Sequence, residues 1–114
     1  MKSGSPTFDY ADVLERLEGD SARAIDLVSR ACIHLRTKEQ DLREHVDDPA
    51  ALKRDLHDLG NTCKQGGFRE LAEWLNPYEG DPSRFTPEVQ EALGERINDA
   101  IARASAVLGI RLHP

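Results

Sequence analysis

Aromatic residues are scarce in this chain: three Phe, two Tyr and one Trp among 114 residues. Leu and Ala are plentiful instead, so composition leans towards helix before any pattern is read. Cysteine is limited to Cys32 and Cys63, too few for a disulfide scaffold and without metal-ligand spacing. No apolar run approaches the roughly 18–20 residues of a membrane span. Met1 to Pro6 has no apolar signal core. The expectation is therefore a cytoplasmic protein with no membrane insertion. Glycine-rich phosphate loops, HExxH, CxxC and nucleophile-elbow motifs are all absent. Cations are outnumbered, with 15 Lys and Arg against 21 Asp and Glu and a net charge of −6. That balance argues against nucleic acid as a partner, which would call for a large basic face, while leaving room for a local basic patch.

What is present is a series of helical patterns separated by stop signals, in a length that suits one domain. Residues 1–7 read as a flexible lead-in, 8–109 as the helical domain and 110–114 as a tail. Phe8, Val13, Leu14 and Leu17 suggest a short first helix ending at Gly19. Asp20 can cap a long second helix whose seam is Ile25, Val28, Cys32, Leu35, Leu42 and Val46, interrupted by Glu39. Asp48 with Pro49 starts a third helix, seam Leu52, Leu56, Leu59 and Cys63, which Gly66 and Gly67 break. A fourth carries Phe68, Leu71, Trp74 and Leu75 and is expected to stop at Pro77, before a turn-rich loop from Tyr78 to Phe85. Thr86 and Pro87 open a last helix using Val89, Leu93, Ile97, Ala100, Ala104 and Val107, closed by Gly109. No segment offers strand alternation. The expected fold class is all-α: an antiparallel four-helix bundle with a short additional N-terminal helix across one end. Cys32, Cys63, Phe68 and Trp74 fall at core spacing.

Histidine is the residue type that could carry chemistry. His34 and His45 point away from the seam of their helix and lie about 16 Å apart along it, too far to share a metal, so both read as solvated surface residues. His113 lies in the tail. His57 projects about 130° from the centre of its seam and should be exposed. Lys53, Gly60, Asn61 and Lys64 share its stripe and Arg54 flanks it, while Asp55 and Asp58 fall on the other side. A neutral imidazole can act as a nucleophile near neutral pH, and phosphoryl transfer asks mainly for an exposed nucleophile and balancing cations. Lys53, Lys64 and Arg54 could stabilise phosphate, and Gly60 could leave clearance for a partner. On the residues alone, an ordinary charged helix face bearing a histidine is the plainer reading.

Phe8-Asp9, the run from Val13 to Asp20, and the segment of His57, Leu59, Gly67, Phe68 and Leu71-Ala72-Glu73 together resemble the histidine-containing phosphotransfer domain of multistep two-component phosphorelays. The resemblance extends from Phe8 to the last helix. It implies a monomeric phosphocarrier in which His57 accepts a phosphoryl group from a receiver-domain aspartate and passes it to another receiver. It implies no cofactor or metal of the chain's own and no ATP-using kinase activity, because the receiver brings the acidic pocket and divalent metal. The implied partners are response-regulator receivers and a hybrid sensor histidine kinase, docking around His57 on Gly60, Asn61, Gln65 and Phe68. The sequence departs from the family where a lysine and a glycine usually stand three and four residues after the histidine: here they are Gly60 and Asn61. Lys53 or Lys64 would then supply the missing charge. The rival readings are a degenerate module that binds a receiver or kinase without being phosphorylated, and an unrelated helical adaptor. A kinase dimerisation domain fits less well, because five helices can close a bundle within one chain.

Overall fold

The computed structural model describes residues 7–112. Of the expected lead-in only Thr7 falls within that range, and His113 lies outside it. The described residues form five α-helices and no strand: α1 (Tyr10–Arg16), α2 (Ser21–Glu44), α3 (Pro49–Gln65), α4 (Arg69–Gly80) and α5 (Pro87–Leu108), with a 3-10 turn at Pro82–Arg84. None of the described helices is long and apolar enough to cross a membrane.

The starts of these helices follow from side-chain caps. Asp9, Asp20, Asp48 and Thr86 accept hydrogen bonds from the backbone N–H groups of Asp12, Arg23, Ala51 and Val89. Each cap satisfies an otherwise orphaned donor and contributes about 0.5–2 kcal/mol. Proline in the first turn of α3 and of α5 removes a donor that the helix would leave unpaired anyway. Helix α5 ends on Gly109 in the left-handed region, as its sequence suggests.

Helix α3 packs against α2 on one side and α4 on the other, and α2 in turn packs on α5. The expected α3 seam is fully realised: Leu52, Leu56, Leu59 and Cys63 are all buried, together with Val28, Cys32, Leu35 and Leu42 from α2 and Leu93, Ile97, Ala100 and Ala104 from α5. Other seam positions are not: Ile25 and Val89 are only partly buried, with Ala24 in the core beside Ile25; Val46 is 49% exposed because α2 stops at Glu44, and Val107 is 46% exposed. Glu39, the interruption in the α2 seam, is accommodated by a glycine on the facing helix. Its carboxylate lies where a Cβ of Gly94 would be, 2.7 Å from Oε2, and it pairs with Arg36 and Arg43. Beyond Gly109 the chain is not a free tail: Leu112 is buried, and its N–H donates to Ser105 Oγ.

Proline 77 does not end α4, which runs on to Gly80. The proline forfeits the bond to the carbonyl of Glu73, an exposed residue. The next turn is retained by packing, since the Tyr78 ring lies 5.2 Å from Trp74 and 5.9 Å from Phe85, and by Asp81 N–H donating to the Pro77 carbonyl. The expected loop from Tyr78 is therefore helix, then a short 3-10 turn capped by Asp81.

Helix α1 docks at the C-terminal end of α3. Arg16 Nη2 donates to the carbonyls of Lys64 and Gln65, the Asp9 N–H donates to the Gly67 carbonyl, and Arg69 pairs with Asp9 at 3.1 Å. Phe8 packs its ring 5.2 Å from Phe68 beneath them. Gly67 makes this junction possible, with φ +83° and a missing Cβ that would lie 2.8 Å from Val13 Cγ2 and 2.9 Å from the Asp9 carbonyl oxygen. Gly67→Ala should therefore lower stability by at least the roughly 1–2 kcal/mol of a left-handed non-glycine residue, measured by urea denaturation, whereas Gly80→Ala, with nothing within 4 Å, should change it far less.

Candidate functional site

Because α3 is one continuous helix, Lys53, His57, Gly60, Asn61 and Lys64 fall at spacings of three and four on a single stripe. The His57 side chain is 65% exposed. Lys53, Arg54 and Lys64 are exposed and make no ion pair with any described residue, so their charge is available to an arriving anion. Gln65 is exposed at the C-terminal end of the same helix. On the far side of α3, Asp55 is buried and Asp58 half-buried, both ion-paired to Lys38 of α2. The separation of charge expected from the sequence is thus present.

The immediate surroundings of the imidazole differ from that expectation. Nδ1 of His57 lies 3.5 Å from Oε1 of Glu79, in the last turn of α4. Nε2 lies 3.4 Å from the Asn61 side-chain nitrogen. Gly60, expected to leave clearance for a partner, is buried, and the space beside it is filled by this chain's own Glu79: a Cβ there would lie 2.5 Å from Glu79 Oε2. That oxygen is buried without a hydrogen-bond partner among the described residues. Phe68 is fully buried against Phe8, so its ring belongs to the core and not to a docking surface.

A carboxylate beside Nδ1 favours the proton on that nitrogen and leaves the lone pair on Nε2, directed away from the carboxylate. Asn61 then has the geometry of a weak donor to that lone pair. Glu79 was hidden in the sequence by Pro77. Had the helix been continued through the proline, Glu79 would have stood four residues after Leu75 and eight after Leu71, a carboxylate on a core-facing stripe in need of a niche such as Gly60.

His34 is exposed, as expected. His45 is not a free surface residue: its Nδ1 lies 2.6 Å from Oδ2 of buried Asp55. Cys32 and Cys63 are buried free thiols. Burial pushes Cys32 up to about 11, against a small opposing effect of Arg36, and pushes Cys63 up to about 12 with help from the Glu79 charge, so neither is a ready nucleophile. Among the described residues no group of three or more His, Cys, Asp or Glu could hold a metal ion.

No family model, no curated protein and no solved structure matches this chain.

Gly60→Ala should displace the Glu79 carboxylate, a flexible group that can swing away, while leaving α3 intact. The expected outcome is an unchanged helical circular-dichroism spectrum and a shift of the His57 imidazole 15N resonances towards a mixture of tautomers. Unchanged His57 resonances would show that Glu79 does not orient the ring.

Proposed function

We propose that this chain is a histidine phosphocarrier of the phosphotransfer type, built as an antiparallel four-helix bundle with α1 across one end and working as a cytoplasmic monomer. The observation that carries this reading is the exposed His57 on a cationic stripe of α3 with Glu79 behind Nδ1. The Nε2 lone pair attacks the phosphorus of a receiver's aspartyl phosphate in line. The N–P bond forms as the P–O bond to the aspartate breaks, and the carboxylate leaves. Positive charge developing on the ring is balanced at Nδ1 by Glu79, while Lys53, Arg54 and Lys64 are within one or two turns of the transferred oxygens. Transfer onward to a second receiver reverses the same step. The chain binds no nucleotide in this scheme and supplies no metal. Its docking surface is the exposed stripe with Asn61 and Gln65, flanked by the cations; a hybrid sensor kinase would be reached through its own receiver.

The alternative is a module that binds a receiver or kinase without being phosphorylated. Two observations favour it: Asn61 stands against Nε2, and Glu79 occupies the space at Gly60, where the family carries a lysine. Cations at exposed positions act through screened contacts, so Lys53 and Lys64 together are expected to matter by roughly tenfold in rate, or about 1.4 kcal/mol in the barrier.

Incubation with a phosphorylated receiver tests these readings. Acid-labile, alkali-stable label should enter the native chain and be absent from His57→Gln. Lys53→Ala/Lys64→Ala should slow labelling about tenfold, and Asn61→Gly should speed it. Receiver binding with no label in the native chain or in Asn61→Gly would establish the non-phosphorylated module instead.

A further inference from the structure

The turn between α2 and α3 carries a second carboxylate–imidazole pair, distinct from the one at His57. His45 is the C-cap residue of α2, its N–H donating to the Asp41 carbonyl, and Asp48, three residues on, is the N-cap of α3. The reversal is thus only a few residues long, and its one backbone bond runs from Asp48 N–H to the His45 carbonyl. Across it, His45 Nδ1 reaches Oδ2 of Asp55 at 2.6 Å, joining the end of one helix to the second turn of the next. Asp55 is 3% exposed, so its charge must be met within the protein. Among the described residues its other ion-pair partner is Lys38, at 3.6 Å from Oδ1, and Lys38 is shared with Asp41 and Asp58 at 3.5 Å each. Three carboxylates therefore compete for one ammonium, and an imidazole that takes a second proton would add another positive charge beside Asp55.

We propose that the His45–Asp55 contact is a pH-sensitive clasp across the α2–α3 turn, closed while the imidazole carries its second proton and loosened when it is neutral. The groups facing the ring favour the protonated form: Asp55 from α3 by its hydrogen bond and charge, then Asp41 from α2 and Asp48 from the turn, opposed by partial burial. The C-terminal end of α2 adds the negative end of the helix dipole. These effects raise the folded-state value of His45 above 6.5. The folded chain thus holds the proton more tightly than the unfolded chain. The contribution to stability is complete below the unfolded value and is lost as pH rises through the folded one. A neutral ring can still donate from Nδ1, so deprotonation removes the ionic part of the contact and weakens it without breaking it, while Lys38 remains on Asp55.

The same segment lines a groove: Val46, Pro49, Ala50 and Lys53 from the turn and the start of α3 share it with Asp81, Pro82, Ser83 and Phe85. Weakening of the clasp would relax the turn that carries Val46 and the first turn of α3, next to the cation one turn before His57.

The test uses the whole chain. Imidazole resonances of His45 are followed with pH in the folded and the urea-unfolded chain, and urea stability is measured from about pH 6 to 8.5 for the native chain and for His45→Asn, whose amide can still donate to Asp55 but does not titrate. The expected result is a higher titration midpoint for His45 in the folded than in the unfolded chain, native stability that falls over this range, and a smaller fall in His45→Asn. The amide protection factor of Asp48 should drop through the His45 midpoint in the native chain. A folded His45 midpoint at or below the unfolded one, or the same fall of stability in native chain and His45→Asn, would overturn the proposal. Should His45→Asn fail to fold, the native titration and the Asp48 protection factor decide it: a raised midpoint with a parallel loss of protection supports the clasp, and any other result excludes it.

Discussion

Helix α3 is packed on two flanks, and the rest of the structure depends on that constraint. With α2 on one side and α4 on the other, its apolar seam is consumed in the core and a single stripe is left for solvent. Lys53, His57 and Lys64 lie on that stripe with Arg54 beside it, while buried Asp55 and half-buried Asp58 of the same helix pair with Lys38. Leu52, Leu56, Leu59 and Cys63 anchor the backbone that carries His57, while its imidazole remains exposed. Such preorganisation is what a group-transfer site needs. The ends of the helix are secured separately: Asp48 caps the first turn, and Arg16 with the α1 junction satisfies carbonyls of the last.

Carboxylates seated beside helical glycines recur in this molecule. Glu39 occupies the space beside Gly94, and Glu79 the space beside Gly60. In both, an acidic side chain on a core-facing stripe is tolerated because the facing helix lacks a Cβ. The two differ in their partners. Glu39 pairs with Arg36 and Arg43, whereas Glu79 has the imidazole of His57 at 3.5 Å. The Glu79 carboxylate therefore faces the ring that the sequence singles out. The same economy of charge is seen at Asp55, where Lys38 is shared among three acids and His45 completes the set.

Much of this was legible in the sequence because the signals were local. Capping aspartates at 20 and 48, the Thr86-Pro87 start and the α3 seam all depend on residues within one or two turns of each other, and all are found where expected. The exposure of His57 followed from helical periodicity alone. What escaped was tertiary. Pro77 reads locally as a stop, but packing of the Tyr78 ring against Trp74 and edge-on against Phe85 holds the helix through it, and that extension is what brings Glu79 to His57. His45 reads as solvated from its own helix, because the partner that claims it lies ten residues away on the next one. Gly60 read as an opening because nothing in its neighbourhood along the chain shows what fills it.

The central claim is that His57 receives a phosphoryl group on Nε2 with Nδ1 turned towards Glu79. It is tested most directly by phosphorylating the 15N-labelled chain from an acyl-phosphate-charged receiver and reading the 31P–15N correlation of the product. The account predicts one phosphohistidine, at residue 57, with phosphorus bonded to Nε2. Phosphorus on Nδ1, on His34 or His45, or on no histidine under conditions where the receiver binds and loses its phosphate would contradict it.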